Sequence, residues 1–424
     1  MKNFLKFFLL NKSRFYFNLS FLNILKKILF YIMNTKTNYQ EIVSKKFQIY
    51  FPNSNIFFFN HGRGGFFSLL KCFKNRSRKK VLINSLTLFE MVNMIIYAEH
   101  EPIFVDNKKH SFETNTIELI EKYKDEIGFV VITHLNGLNK EIFEVKEKID
   151  EINESRDKID KIFLVEDVAV SFGAKYNNIF CGSIGDFSIL SFNIMKNITS
   201  LTGGALVDNT RSINSNEVNK DLVNISLFDI SKKIFFVFLL KFLNSKIIFP
   251  YFFIIIKISQ KNNYNFFLRK YRTDFHTYTA KKIPLDFMKN LSNFQLFLLV
   301  DQLNSIEKNN DIRIKNSLYC YDKLKNNENL IFPQINFNQE NIFIEFPIIC
   351  KQIEYKKYIF LKSLSQYIDI KNFYYTNCDS EKTFLKYKKS SCLNAKYISE
   401  NIIMIPVNID QKKKDLDKII DIIK

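Results

Sequence analysis

The residues best suited to chemistry lie between positions 165 and 197. Glu166 and Asp167 close one short apolar run, and Ser191 and Lys196 follow the next one. A lysine amine reacts with an aldehyde, a carboxylate keeps a ring nitrogen protonated, and a hydroxyl donates to a phosphate. These groups, in this order, suit pyridoxal 5'-phosphate (PLP) as the cofactor, with Lys196 as the residue that binds it covalently.

A glycine-rich turn lies upstream at His61–Lys71, which reads HGRGGFFSLLK. Gly62, Arg63 and Gly64 open the helix predicted there. The N–H groups in the first turn of a helix have no partner within the helix, so they can bind an anion. The backbone of these three residues is therefore a candidate phosphate site, whereas the Arg63 side chain could simply form a surface ion pair.

The elements that must position these residues follow an alternating pattern between positions 45 and 210. Short apolar runs alternate there with charged, helix-like stretches, which is typical of a mostly parallel sheet with crossover helices. Such sheets bind ligands at the carboxyl ends of their strands. The predicted strands are Asn55–Phe59, Lys80–Ile83, Pro102–Val105, Phe129–Thr133, Lys161–Val165, Phe187–Leu190 and Gly204–Val207. The predicted helices are Gly65–Phe73, Phe89–Ala98, Thr114–Tyr123 and Lys140–Asp157.

Over this stretch the chain resembles the DegT/DnrJ/StrS-type sugar aminotransferases, which are PLP enzymes of the aspartate-aminotransferase fold (fold type I). The order and the spacing of the matching motifs both agree with that family. The matching positions are Glu166-Asp167, Gly173-Ala174, Gly182 through Asp186, Ser191-Phe192, Lys196 through Thr199, Gly203-Gly204, His61–Lys71, Thr87, Asn93, Pro102–Asn115 and Thr133–Gly137. The resemblance implies an α/β fold with a mostly parallel seven-stranded sheet, helices on both faces and a smaller C-terminal α+β domain.

The resemblance also implies a role for individual residues. Lys196 would form the Schiff base with the cofactor and move a proton between substrate and cofactor carbon atoms. Asp167 would pair with the ring nitrogen of the cofactor. Ser191 would bind the phosphate together with the backbone of the glycine-rich turn. His134 either lies near the cofactor ring or is a buried histidine that is bonded within the protein.

Three departures from the family pattern concern the cofactor pocket. Val170 stands where the family usually carries a glutamine that bonds near the ring hydroxyl, so we expect that contact to be lost. Leu88 stands where an aromatic residue often stacks on the ring. Between Asp208 and Pro284 the Asn-Tyr-Arg-Met-like segment by which a partner subunit contacts the cofactor is not found. We therefore expect an altered substrate pocket.

Composition and charge point to a folded protein with reduced cysteines. The formal net charge is +19, but the bias toward Lys, Asn, Ile and Phe is typical of an AT-rich genome, and no compact basic module or zinc-finger spacing is present. A nucleic-acid partner is therefore not expected. The six cysteines are scattered without metal-ligand spacing, which favours a cytoplasmic protein without a metal. Residues 1–40 contain no acid and seven basic residues that interrupt the apolar run expected of a signal peptide.

The segment Leu222–Ser259 is much more apolar than the rest of the chain. Its longest uncharged run, Ile247–Ile256, is shorter than the roughly 18 residues that a membrane-spanning helix needs. Lys241 and Lys246 precede this run, and Pro250 interrupts it. Two interpretations remain open: buried helices, or an amphipathic segment on a membrane surface that would hold a cytoplasmic protein at the membrane.

Four stretches are predicted along the chain. They are a basic apolar N-terminal segment (1–44), a large PLP-binding α/β domain (45–215), an apolar insert (216–280) and a small C-terminal α+β domain (281–424). The small domain is predicted to contain helices at Leu291–Leu303, Ile312–Leu324 and Lys413–Ile423 and extended runs at Asn341–Pro347 and Ile402–Pro406.

The resemblance implies the transfer of an amino group, with glutamate as the expected donor, to a nucleotide-linked keto-deoxysugar for surface glycan synthesis. The partners are then a nucleotide sugar, an amino acid and a second copy in a homodimer. One alternative is a PLP- or pyridoxamine-phosphate-dependent sugar dehydratase, against which the presence of Lys196 argues. The others are a non-catalytic membrane-surface protein on a decayed aminotransferase fold, and an active aminotransferase that is held at the membrane.

Overall fold

The computed structural model describes residues 13–14, 16–17, 19, 21–34, 36–157, 159–261, 282–333, 335–372 and 375–424. The strands are β1 (Asn55–Phe59), β2 (Lys80–Asn84), β3 (Leu86–Thr87), β4 (Glu101–Val105), β5 (Ile127–Thr133), β6 (Phe163–Asp167), β7 (Lys175–Tyr176), β8 (Ile179–Phe180), β9 (Phe187–Ser191), β10 (Gly204–Asp208), β11 (Leu330–Ile331), β12 (Glu345–Cys350), β13 (Thr376–Asn377) and β14 (Ile402–Pro406). The helices are α1 (Phe21–Met33), α2 (Tyr39–Phe47), α3 (Gly62–Cys72), α4 (Phe89–Tyr97), α5 (Thr116–Tyr123), α6 (Glu141–Glu154), α7 (Ser215–Asn219), α8 (Leu227–Leu243), α9 (Phe249–Lys261), α10 (Asn293–Leu324), α11 (Ile353–Ser365), α12 (Leu393–Asn401) and α13 (Lys413–Ile423).

The central element is a seven-stranded sheet in the order β1-β10-β9-β6-β5-β2-β4. The pairs β2–β4, β2–β5, β5–β6 and β6–β9 are parallel, and β10 pairs antiparallel with both β1 and β9. All seven predicted strands are present, with ends within two residues of the predicted ones. The prediction of a mostly parallel seven-stranded sheet is confirmed.

Both faces of the sheet are covered because its strands are apolar on both sides. Val130, Ile132 and Leu164 belong to the cluster on one face. Val131 and Val165, which alternate with them, belong to the cluster on the other face. Helices α3 and α4 lie on this second face, together with side chains of the C-terminal part.

Four neighbouring parallel strands end in polar residues. β2 ends at Asn84, β5 at Thr133, β6 at Asp167 and β9 at Ser191. Because these strands are parallel, the four residues lie along one edge of the sheet, which we call the carboxyl edge. Thr133 and Asp167 are direct partners across β5 and β6, so their side chains point to the same face. The sheet thus brings together polar groups that are far apart in the sequence.

The C-terminal part is built around a three-stranded antiparallel sheet in the order β11-β12-β14. The two helices predicted at 291–303 and 312–324 are one helix, α10, which begins with a capping box at Ser292 and Gln295. The prediction of a break was wrong because the polar residues between them include neither Gly nor Pro, so nothing interrupts the backbone hydrogen bonds. The extended run predicted at 341–347 begins later, at Glu345, whereas the closing strand and helix lie where they were predicted.

The apolar segment forms two helices, α8 and α9, joined by a short turn. Ile230 and Val237 anchor α8 to the main core, and Phe249 and Phe253 anchor α9 to a small separate cluster. Among the described residues, no helix is long and apolar enough to cross a membrane. The end of the predicted insert, residues 262–280, lies outside the described part of the chain. The division into four stretches stays a prediction.

Candidate active site

Asp167 and Lys196 interact across the carboxyl edge. Asp167 is buried at the end of β6, and its Oδ1 accepts the N–H of Ala169 at 3.0 Å. Burial raises the pKa of Asp167, and the Ala169 N–H together with the positive charge of Lys196 only partly offsets that effect. A buried carboxyl group whose pKa remains raised is stabilised in its charged form by a further positive charge nearby. The pair therefore fits a cofactor that carries a protonated ring nitrogen.

His134 is fully buried, and both of its ring nitrogens have partners. Nδ1 accepts the N–H of Asn139 at 2.9 Å, so the proton lies on Nε2, which donates to Oε2 of Glu166 at 2.9 Å. A contact between His134 and a cofactor would therefore have to use the ring carbons or the ring face. Its role as a cofactor residue stays a prediction.

Glu166 organises the loop that follows β8. Its Oε2 accepts the N–H of Gly182 at 2.7 Å, and its Oε1 accepts those of Ile184 and Gly185 at 2.8 and 2.6 Å. Together with His134, four donors satisfy this fully buried carboxylate. The sequence motif included Glu166, but it did not predict the hydrogen bonds between Glu166 and this loop. These bonds hold β6, and with it Asp167, in a fixed position.

The beginning of α3 lies against the end of β9. The helix starts at Gly62, and the preceding His61 is extended and does not cap the helix with its side chain. A Cβ atom at Gly62 would lie 2.5 Å from the carbonyl oxygen of Leu190, and one at Gly204 would lie 2.2 Å from the nitrogen of Gly62. Only glycine allows this approach. It brings the first turn of α3 next to Ser191, and the Gly64 N–H in that turn already donates to the carbonyl oxygen of His61 at 3.0 Å. The start of a helix favours an anion such as a phosphate.

The side chain of Arg63 is engaged within the protein. Its guanidinium forms an ion pair with Glu90, approaches Nδ1 of His61 at 3.3 Å and lies 4.4 Å from the centre of the Phe287 ring. These contacts favour the interpretation in which only the backbone of Arg63 faces a phosphate. The adjacent Gly64 has a different constraint, because a Cβ atom there would lie 1.9 Å from the carbonyl oxygen of Phe287.

The sequence did not point to Asp286, which joins the residues just before α3 to α8. Its Oδ2 accepts from His61 Nε2 at 2.9 Å, from the Asn60 side chain at 2.9 Å and from Lys233 at 3.2 Å. The bond from His61 and the charge of Lys233 hold the pKa of Asp286 well below its usual range. Burial lowers the pKa of His61 to about 4. No short motif signals these contacts, because the partners lie far apart in the sequence.

Apolar and unpaired polar groups complete the site. Val170 is buried and Leu88 is partly buried in the cluster on the second face of the sheet, so neither offers a hydrogen bond. Among the described residues, the buried Oγ1 of Thr133 and Nδ2 of Asn84 have no hydrogen-bond partner. Buried polar groups without partners are rare unless a ligand or water satisfies them. Both groups are available to a ligand bound at the carboxyl edge.

Comparison with known sequences identifies the family. Residues 27–224 and 265–424 match the sequence profile of the DegT/DnrJ/EryC1/StrS aminotransferase family. The chain belongs to this family. Its matched parts include every candidate site residue, whereas residues 225–264 are not matched. The region in which the Asn-Tyr-Arg-Met-like segment was not found overlaps residues 262–281, which lie outside the described part of the chain.

Two curated relatives of this family member are similar over a limited stretch. GDP-perosamine synthase of Escherichia coli O157:H7 is 31% identical over 134 residues, which are 32% of this chain and 35% of that protein. UDP-4-amino-4,6-dideoxy-N-acetyl-β-L-altrosamine transaminase of Campylobacter jejuni is 28% identical over 137 residues, which are 32% of this chain and 34% of that protein. The chain thus spans about a third of the length of these relatives.

Solved structures with the same fold match nearly the full length of the chain. PseC of Helicobacter pylori, an aminotransferase involved in the biosynthesis of pseudoaminic acid, has a TM-score of 0.70 at 15% identity and covers 97% of this chain and 98% of its own. GDP-4-keto-6-deoxy-D-mannose-3-dehydratase of E. coli has a TM-score of 0.71 at 16% identity and covers 98% and 100%. The expected fold is confirmed, and this fold carries both amination and dehydration.

Proposed function

We propose that the protein is a PLP-dependent aminotransferase that transfers an amino group to a nucleotide-linked keto-deoxysugar. The observation that carries this proposal is the buried carboxylate of Asp167, which ends β6 at the carboxyl edge next to the strand that ends in Ser191. The close approach of the start of α3 to Leu190, the residue before Ser191, supports a phosphate site there.

Bound PLP supplies an aldehyde that takes up an amino group and a ring that accepts electrons when the donor carbon loses a proton. The Lys196 amine holds the cofactor between turnovers, and its Nζ takes up and returns that proton. The carboxylate of Asp167 keeps the ring nitrogen protonated. Ser191 and the N–H groups of Gly62, Arg63 and Gly64 bind the phosphate. Glu166 keeps the strand that carries Asp167 in place.

The substrate class is inferred from the family and from the names of the relatives. Both curated relatives are named for amino sugars on nucleotides. We infer that the acceptor is a nucleotide-linked keto-deoxysugar for surface glycans and that glutamate is the donor. A dehydratase is the second candidate, because one of the matching structures is a dehydratase. The presence of Lys196 favours amine transfer, because that reaction needs a residue that releases the cofactor to the donor.

The assembly and the location of the enzyme are part of the same proposal. We infer a cytoplasmic homodimer, since the fold usually forms its active sites between two copies. All six cysteines are free thiols, in keeping with a reducing compartment. We also infer a peripheral membrane contact through residues 222–259, for which the next subsection gives the physical argument.

An amination assay tests the proposal. The purified enzyme is incubated with PLP, glutamate and a panel of nucleotide-linked keto-deoxysugars, and products are identified by mass spectrometry. We expect an amino sugar together with 2-oxoglutarate in equal amounts. A sugar product that has lost water and gained no nitrogen would indicate the dehydratase. Neither product from any sugar or any other amino donor would indicate the non-catalytic alternative.

A further inference from the structure

Helix α8 has apolar side chains on two opposite faces. Ile230 and Val237 are buried in the main core. On the other side, Phe228, Phe235 and Phe242 are 67%, 69% and 59% exposed. Their spacing of seven residues places the three rings on one stripe along the helix. A helix that is apolar all round normally has both faces covered, but no described residue covers the outer stripe of α8.

Helix α9 repeats the same arrangement. Phe249 and Phe253 are buried against the C-terminal part of the chain. Tyr251, Ile255 and Ile258 are exposed, and their spacing of four and three residues again forms one stripe. We call the exposed large apolar residues between positions 227 and 258 the insert surface. It consists of Leu227, Phe228, Phe235, Phe236, Leu239, Phe242, Ile247, Tyr251, Ile255 and Ile258. Exposed apolar side chains in this number point to a contact site.

The charges around the insert surface are positive. Between Leu222 and Ser259 the only acidic residue is Asp229, and it is already paired with Lys289 at 2.8 Å. Lys232 and Lys246 are exposed, and the Lys232 amine lies 4.0 Å from the centre of the Phe228 ring. Lysines are therefore interspersed with the exposed rings, and no unpaired carboxylate of this segment accompanies them.

The N-terminal helix α1 adds a second basic, apolar face. Leu22, Leu29 and Met33 are exposed, whereas Ile24 is buried in the core. The segment that precedes α1 reaches the end of α8, where Phe17 lies 5.6 Å from the Lys241 amine. Residues 1–40 contain no acidic residue. Both parts of the chain that expose apolar stripes thus share the same charge pattern.

A second copy of the chain is a poor partner for this surface. In a two-fold dimer the same patch meets itself, so lysines would approach lysines without carboxylates to pair with. An anionic bilayer surface offers phosphate groups for the lysines and acyl chains for the rings. We propose that α8 and α9 lie flat on an anionic lipid surface, with the insert surface in the bilayer interface and the catalytic domain above it. The sequence profile of the family does not match residues 225–264.

Vesicle co-sedimentation of the full-length enzyme tests this proposal without an activity measurement, so its outcome is independent of the proposed reaction. The probes are vesicles of phosphatidylcholine with and without phosphatidylglycerol. We expect binding to the anionic vesicles, weakened by salt. Each of the substitutions Lys232→Glu and Lys246→Glu should weaken binding about fivefold or more, from about 1 kcal/mol for each lysine at the surface.

The triple change of Phe228, Phe235 and Phe242 to Ser tests the apolar part. Matched controls are Leu361→Ser, an exposed leucine on α11, and Lys382→Glu, an exposed lysine elsewhere on the C-terminal part. We expect the triple variant to lose binding and the controls to keep it, all with unchanged thermal midpoints. Equal loss in the controls, or no binding to anionic vesicles, would overturn the proposal. So would a triple variant that binds lipid normally but changes from dimer to monomer in sedimentation velocity.

Discussion

Polar groups are buried at the carboxyl edge, whereas apolar groups are exposed at the insert surface. At the carboxyl edge, carboxylates and amides are buried, and Glu166 is satisfied by four donors. At the insert surface, phenylalanines are exposed on a helix whose other face is packed. The edge gains its specificity from hydrogen bonds of fixed geometry, whereas the insert surface offers non-directional contact. The proposed chemistry therefore lies at the carboxyl edge, and the proposed membrane contact lies at the insert surface.

The two regions are physically connected. The side chains of Asn60 and His61, just before α3, donate to the carboxylate of Asp286. This carboxylate also accepts from Lys233 of α8. Substitutions can therefore be chosen that affect the edge alone, the connection, or the insert surface alone. The following predictions are ordered from the largest expected effect to the smallest.

The largest effect is expected for Lys196→Ala. Removal of the amine that moves the proton should lower the rate of amine transfer by roughly 10²–10⁴-fold or more. The control Lys220→Ala removes an exposed lysine that directly follows α7 and should retain full activity. Steady-state kinetics with glutamate measure both variants. Comparable activity in Lys196→Ala and in the native enzyme would remove the distinction between a catalytic edge and a non-catalytic insert.

Gly62→Ala tests the close approach of α3 to β9. The new Cβ atom would lie 2.5 Å from the carbonyl oxygen of Leu190, so the helix start must move away from Ser191. We expect a loss of about 1–3 kcal/mol in stability and an affinity for PLP that is about tenfold weaker, roughly one ionic hydrogen bond. Thermal unfolding and PLP titration measure these changes.

Gly65→Ala is the matched control for Gly62→Ala. It lies on the same helix, but its Cβ atom would meet the ring of Phe59 at 3.2 Å rather than a backbone carbonyl. A side chain can shift, so a smaller loss of PLP affinity is expected. An equal loss in both variants would mean that α3 as a whole, and not its first N–H groups, determines phosphate binding.

The lowered pKa of His61 predicts that the stability of the protein depends on pH. Burial lowers its pKa from 6.5 to about 4, so the unfolded chain binds the proton more tightly. Stability from this residue is present above pH 6.5 and is lost as the pH falls toward 4, by at most about 3 kcal/mol. His61→Asn should flatten the pH profile of the thermal midpoint in this window. An unchanged slope would show that His61 is not held neutral in the folded protein.

The smallest effect is expected for Lys233→Met. The charge of Lys233 helps to lower the pKa of both His61 and Asp286, so its removal should raise the pKa of His61 slightly. Loss of one partly exposed ion pair should cost about 1 kcal/mol or less. NMR titration of the His61 ring gives its pKa, and PLP affinity should change little. A large loss of PLP affinity would contradict the separation of the edge from the insert.

The sequence predicted the carboxyl edge better than it predicted the insert. Strand ends and the positions of Asp167, Ser191 and Lys196 follow from short motifs and alternating apolar runs, which are local properties of the chain. The bonds of Glu166 to the loop at Gly182 and the contacts of Asp286 join distant segments, so no local pattern indicated them. The single helix α10 was missed because its polar middle interrupts the apolar period without interrupting the backbone.

For the insert surface, the sequence excluded one interpretation and left two others open. Its composition excluded a spanning helix, but the apolar pattern alone left buried helices and a membrane-surface segment equally open. The structure distinguishes the two faces of α8, since Val237 is buried and Phe235 is exposed. The prediction of buried helices is met in part, because each helix has one buried face and one exposed face. The membrane-surface segment stays a prediction.

The most direct test of the central claim is covalent trapping of the cofactor. The enzyme is purified with PLP, its absorption spectrum is recorded, and borohydride reduction is followed by peptide mass spectrometry. We expect a visible absorption band and a single reduced label on Lys196, both absent from Lys196→Ala. A label on another lysine, or no band and no label in a folded protein that still binds anionic vesicles, would contradict the assignment of the carboxyl edge as a PLP site.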